Sequence, residues 1–190
     1  MTRLLIVGPP GSGKGTQAAR ITDSLGVVAI STGDIFRANV KEMTPLGVEA
    51  KQYMDAGDYV PDSVTNAMVR DRLAQSDVAE GFLLDGYPRT VAQVAELDDI
   101  LASNGQNLDA VVLLTADEDE LVARLLKRAQ IEGRADDTED VIRHRLSVYR
   151  EQTQDVVAAY RERGLVREVD GLGELEDVTS RILAALRQDA

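Results

Sequence analysis

Short unbroken apolar runs alternate along the chain with longer segments whose apolar residues recur every three or four positions. The first run, Leu4-Leu5-Ile6-Val7, suits a strand covered on both faces. Ala18, Ile21 and Leu25 follow at helical spacing, with Gly26 as a left-handed stop. A second strand is predicted over residues 27–30. Between Ser31 and Val60 the apolar pattern thins and is broken by Gly33, Pro45, Gly47 and Gly57, which predicts two short helices that leave the main layers as an inserted lobe. Val60-Pro61-Asp62 opens the next helix, with Val64, Met68 and Leu73 on its inner face. The third strand covers 81–84 and ends at Asp85.

The second half continues the alternation. Thr90 and Gln93 have capping-box spacing ahead of a helix carrying Val94, Leu97 and Leu101, closed by Gly105. A fourth strand is predicted over 110–114. The helix after it has Asp117 and Glu120 at its start and Arg124, Lys127 and Arg128 near its end, which complements the helix dipole. A polar stretch over 129–137 breaks the pattern. Ile142, Leu146, Tyr149, Thr153, Val156 and Tyr160 then mark one long helix, ended by Gly164. A fifth strand over 165–169 and a helix with Leu175, Val178, Ile182 and Ala185 complete the order. Strands alternating with helices predict an α/β fold with a parallel sheet, helices on both faces and right-handed crossovers. Ligands of such sheets sit at the carboxyl ends of the strands.

Composition narrows the chemistry. The chain has 190 residues, 44% hydrophobic and 28% charged, the balance of a soluble globular protein with one real core. Its net charge of −12 argues against nucleic acid or an anionic membrane as a partner, so any anion must be held by local charge. There is no cysteine, which excludes disulfides and a thiolate zinc site. No apolar run approaches the roughly 18 residues of a membrane span, and the first strand leads into a loop rather than a cleavage site. A cytoplasmic protein is expected.

The loop after the first strand, Gly8-Pro9-Pro10-Gly11-Ser12-Gly13-Lys14-Gly15-Thr16, carries the strongest signal. A strand feeding a helix leaves backbone N–H groups open at the helix N-terminus, glycines let a ligand approach closely, and Lys14 adds positive charge: a phosphate cradle. The strict Walker pattern puts Ser or Thr directly after the lysine, whereas here Gly15 intervenes before Thr16. Asp85, at the end of an apolar strand, has the position of an acid that orders the water shell of Mg²⁺, or else serves the Asp85-Gly86 turn. Arg37, Arg89, Arg128, Arg134 and Arg145 fall in or beside the segments expected at the ligand edge; Arg124, Arg143 and Arg150 read as solvated ion-pair partners. Planar guanidinium forks suit phosphoryl transfer, which needs positioning and electrostatics more than a nucleophile or base. His144, between Arg143 and Arg145, reads as a surface residue. Gln93 is open between helix capping and ligand recognition.

The glycine loop, Ser31-Thr32-Gly33-Asp34, Asp85-Gly86-Tyr87-Pro88-Arg89, Arg128 and Gly133-Arg134-Ala135-Asp136-Asp137 together resemble the adenylate kinase family of the short-lid type, over essentially the whole chain. The resemblance implies a P-loop three-layer fold with a five-stranded parallel sheet, a core over 1–31, 61–127 and 138–190, an AMP-binding lobe over 32–60 and a short lid over 128–137. It implies that Gly11, Ser12, Gly13, Lys14, Gly15 and Thr16 grip ATP, with Arg128 and the Gly173 backbone near its adenine. Thr32, Arg37, Asp58, Tyr59, Val60, Gly86, Tyr87, Pro88, Arg89 and Gln93 would form the AMP site, and Arg134 and Arg145 would close over the phosphates. Lys14, Arg89, Arg134 and Arg145 would be catalytic, and Asp85 would hold Mg²⁺ through water. The implied reaction is reversible transfer from MgATP to AMP giving two ADP, by a monomer whose partners are these nucleotides.

Thr32 and Gln93 favour AMP, because similar pyrimidine monophosphate kinases typically carry alanine and asparagine there; uridylate or cytidylate is the nearby alternative. A GTP-dependent switch would require an Asn-Lys-x-Asp segment, and the chain has none. A non-catalytic nucleotide-binding module stays open at this point.

Overall fold

The computed structural model describes residues 2–133 and 138–187. Five parallel strands form one sheet: β1 (Thr2–Val7), β2 (Val28–Ser31), β3 (Gly81–Asp85), β4 (Ala110–Thr115) and β5 (Val166–Asp170), in the order β2-β3-β1-β4-β5. β1 lies at the centre, paired with β3 through Leu4 opposite Leu83 and with β4 through Leu5 opposite Val111. Successive side chains of a strand point to opposite faces, so each apolar run feeds two cores at once. Leu4, Ile6, Leu83, Val112 and Leu114 pack against α1 (Lys14–Leu25) and α9 (Leu175–Arg187) through Ile21, Val178 and Ile182. On the other face, Leu5, Leu84 and Val111 meet α4 (Asp62–Leu73), α5 (Val91–Ser103) and α8 (Gln154–Glu162) through Val69, Leu97 and Val156. This is the three-layer α/β arrangement expected from the sequence.

Two smaller clusters stand beside the sandwich. α2 (Thr32–Lys41) and α3 (Pro45–Ala56) enclose Phe36 and Ala50 together with Val60, the two helices expected of residues 31–60. Of the α4 residues expected to face the main core, Leu73 does so, Met68 packs against both that core and the lobe cluster, and Val64 packs against the lobe cluster alone, with Val69 joining Leu73 in the core. α6 (Glu118–Glu132) and α7 (Glu139–Val148) join through Leu121, Leu125, Ile142 and Leu146.

Two expectations are corrected. Residues 129–132, read as a break, continue α6, which ends at Gly133 with φ 61°. The single helix read from Ile142 to Tyr160 is interrupted by a π turn, Tyr149–Thr153, between α7 and α8. A π turn holds i→i+5 hydrogen bonds and absorbs about one extra residue, roughly 100° of helical phase. The apolar stripe therefore divides: Ile142 and Leu146 face α6, while Val156, Val157 and Tyr160 face the sheet.

Candidate active site

The carboxyl ends of β1, β2 and β3 open onto one cleft of ≈ 540 Å³. Its floor is the loop after β1. Gly11 and Gly13 adopt φ of 83° and 90°, and Gly13 is the N-cap of α1 with no side chain capping the first turn. The N–H groups of that turn therefore remain available to a ligand, as an anion cradle requires. Ser12 turns inward: it is 1% exposed and its buried Oγ has no hydrogen-bond partner among the described residues. Lys14 bends back over the loop and donates from Nζ to the Pro9 carbonyl at 3.0 Å. Beneath, Gly171 donates to Thr115 O at 2.8 Å, and a Cβ on it would lie 3.1 Å from Ser12 O. Gln17 ties α1 to α9, donating to Leu175 O at 3.1 Å and accepting from the Thr179 hydroxyl at 2.7 Å.

The opposite wall comes from α2, the 57–60 segment and the turn after β3. Thr32, 2% exposed, donates its hydroxyl to Asp85 O at 3.3 Å. Gly86 has φ 85°, and a Cβ there would lie 2.5 Å from Thr32 Oγ1, so this close approach needs glycine. The Tyr87–Pro88 bond is cis, and the Tyr87 hydroxyl donates to Asn66 Oδ1 at 2.8 Å. Arg89 donates from Nε to Gly86 O at 2.8 Å, and its guanidinium lies 4.9 Å from the centre of the Tyr59 ring. The Tyr59 hydroxyl meets Thr153 Oγ1 of the π turn at 3.0 Å. Gln93 is 2% exposed; its N–H donates to the Thr90 cap at 3.2 Å, so capping and a place in the cleft wall coexist in one residue. Arg37 folds back onto Asp34 at 2.6 Å.

From above, α6 contributes Arg128 and α7 contributes Arg145, whose Cγ lies 3.0 Å from where a Cβ on Gly57 would stand. His144 is exposed as expected, and its Nε2 lies 2.7 Å from Asp58 Oδ1 across the gap between α7 and the 57–60 segment. Arg124 is more than a solvated ion pair: it pairs with Glu120 at 3.1 Å and also lines the cleft and donates to Gly171 O at 3.3 Å.

Electrostatics match this crowding. Burial pushes the Lys14 ammonium down to about 8; the Asp85 carboxylate opposes that shift, and Arg89, Arg145 and Arg128 reinforce it. Burial also raises the Asp85 carboxyl, against the pull of Lys14 and Arg89. Cations from several segments thus crowd Lys14 in the cleft, an arrangement that favours an anionic ligand.

The structure gathers Gly11, Gly13, Lys14, Gly15 and Thr16, the Asp58 to Val60 and Gly86 to Arg89 segments, and Thr32, Arg37, Asp85, Gln93, Arg128 and Arg145 around this cleft. Gly173 stands apart from its lining, in the turn before α9 that Arg181 holds by donating to Leu172 O at 2.8 Å. Arg134 lies outside the described residues. Sequence reasoning missed Tyr149, Thr153 and Met54 in the lining, which carry no charge or glycine signal. For a divalent cation, no cluster of three or more His, Cys, Asp or Glu stands among the described residues. One carboxylate, Asp85, near Gly15 of the loop fits Mg²⁺, which keeps much of its water and uses substrate phosphates as ligands.

Comparison with known proteins agrees with this geometry. A family model described as adenylate kinase matches residues 6–165. A protein of Kocuria rhizophila named adenylate kinase is 70% identical over 188 residues, covering 99% of this chain and 100% of its own. One of Pseudarthrobacter chlorophenolicus with the same name is 68% identical, with 98% and 97% covered. One of Micrococcus luteus is 65% identical, with 98% and 91% covered. With the model matched over most of its length and such relatives aligned nearly end to end, the chain belongs to the adenylate kinase family.

Proposed function

We propose that this protein transfers the γ-phosphoryl group of MgATP reversibly to AMP, giving two molecules of ADP. The observation that carries the reading is the convergence of Lys14, Arg89, Arg128 and Arg145, from four separate parts of the chain, on one cleft of a protein with net charge −12. Such a site is built for clustered phosphates, and the names of its relatives supply the acceptor.

In this reading the N–H groups of Gly11 to Thr16 hold the donor phosphates, and Lys14 follows charge on the migrating group. Arg128 lies on the donor side, with Gly173 towards its base. Thr32, Arg37, the 58–60 backbone, Gly86 to Arg89 and Gln93 hold the acceptor nucleotide. An oxygen of the AMP phosphate, already anionic and in need of no base, attacks the γ-phosphorus in line. The bond to the bridging oxygen of the β-phosphate breaks, and ADP leaves with its electron pair. Arg89, Arg134 and Arg145 spread over the charge that develops. Asp85 through water, with the Thr16 hydroxyl, would hold Mg²⁺, whose contribution is to neutralise phosphate charge. The 32–60 lobe and the 128–137 lid close over their nucleotides, keeping water from the phosphoryl group. Action as a monomer in the cytoplasm belongs to the same reading, and among the described residues no helix is long and apolar enough to cross a membrane.

The test is direct. The purified protein is mixed with MgATP and, separately, AMP, UMP, CMP or GMP, and nucleoside diphosphate is measured. ADP formation with AMP far above the other acceptors is expected; no product with AMP, or preferential turnover of UMP or CMP, would overturn the assignment.

A further inference from the structure

We infer that Asp62, which is absent from the cleft lining, sets the acceptor-base specificity by locking the side-chain amide of Gln93 in one of its two orientations; the inference rests on the acceptor reading above. Gln93 Nε2 donates to Asp62 Oδ1 at 2.7 Å, and Gln93 Oε1 accepts from the Arg89 N–H at 2.7 Å. A carboxylate only accepts and a backbone N–H only donates, so rotating the amide by half a turn would set oxygen against oxygen and N–H against N–H. Gln93 itself is 2% exposed and both contacts are part-buried, so an unmatched polar pair there is costly. Asp62 is itself fixed: its second oxygen accepts from the Thr90 hydroxyl at 3.0 Å, and it occupies the first turn of α4, directly after Pro61.

The lock has a chemical consequence. Of the two amide hydrogens one is held by Asp62, and of the two oxygen lone pairs one is held by Arg89. One donor and one acceptor remain, in a fixed spatial order. Adenine offers the complementary order, an exocyclic amine beside the N1 acceptor. Hypoxanthine offers the reverse, a carbonyl beside an N1–H, on an otherwise identical ring. A fixed amide therefore accepts AMP and rejects IMP, whereas a free one would turn to suit either. Sites that hydrogen-bond a substrate's polar edge discriminate strongly because the wrong partner leaves buried groups unpaired. Asp62 does not touch the nucleotide in this account; it is a positioning residue acting through Gln93.

The experiment compares kcat/KM for AMP with kcat/KM for IMP in the parent protein and in Asp62→Ala, with Asp62→Ser as a second variant that keeps a short polar side chain at the start of α4. Both substrates are measured on the same preparation, so partial unfolding or a lower active fraction cancels in the ratio. The AMP-to-IMP ratio is expected to fall at least fivefold in the variants, with KM for ATP within twofold of the parent's. A smaller fall, in a parent that turns over AMP, overturns the role of Asp62 and leaves the acceptor reading standing. A parent that makes no ADP from AMP removes the acceptor reading and this inference with it.

Discussion

Lys14 holds its proton less firmly than an exposed lysine, at about 8 against an ordinary 10.5, first because it is buried and then because Arg89, Arg145 and Arg128 crowd it. Between those two pH values the unfolded chain keeps a proton that the folded one has released. Lys14's contribution to stability is therefore unfavourable below about 8 and is relieved as pH rises through that window. A bound triphosphate reverses the shift, since an adjacent anion favours the ammonium. Triphosphate affinity should fall as pH rises above about 8, with proton uptake on binding, which calorimetry in buffers of different ionisation heat would measure. Arg89 makes a second residue-level prediction. Its Nε is held by Gly86 O and its face by the Tyr59 ring, so the planar fork is aimed in advance. Arg89→Lys keeps the charge but loses the fork, and kcat with MgATP and AMP should drop by about 10³-fold; turnover close to the parent's would remove Arg89 from the reaction. The phosphate loop, Asp85 and Arg89 were legible in the sequence because glycines, a strand-end acid and an arginine in an acidic chain each stand out locally. The Asp62–Gln93 contact was not, since its partners are 31 positions apart and either residue alone reads as helix-start chemistry.

The helices show the same division between local and distant signals. Thr90, Thr44 and Thr138 cap α5, α3 and α7 by accepting from the third residue along, a pattern visible in sequence at Thr90 and Gln93. The pairing of α2 with α3 depends instead on what faces Gly47, in the first turn of α3. A Cβ there would strike the Asn39 carbonyl and lie 2.6 Å from Val40 N. Gly47→Ala should force the two helices apart at a cost of about 1–3 kcal/mol. Faster amide exchange over residues 32–60, with the sheet unaffected, would report it; unchanged exchange would show that the pair can relax around the methyl group. The π turn between α7 and α8 escaped the sequence pattern altogether. Apolar residues from Ile142 to Tyr160 fall at steps of three and four, which fits an unbroken helix, and only the presence of two different partners, α6 and the sheet, shows that the stripe divides.

For the molecule as a whole, the sheet is the common support of two cores, and its strands were readable because burial on both faces demands unbroken apolar runs. Leu84, fully buried in β3 within the main core, stands two positions before Gly86, which lines the cleft. Leu84→Ala should lower the free energy of unfolding by about 2–5 kcal/mol, read from urea denaturation. The long-range placement of Arg128 and Arg145 in the cleft lining was not legible from periodicity, because it depends on how α6 and α7 pack on each other. The extra residue stored in the Tyr149–Thr153 turn matters at this scale too. Deleting exposed Gln152 would let the turn relax to ordinary helix while leaving α7 and α8 facing the partners they now have. Such a shortened chain should fold and melt near the parent, yet carry Tyr149 and Thr153 out of place against the cleft. In an evolving lineage this turn is where length can change without loss of architecture, so that indels there would retune the active site while the scaffold stays constant.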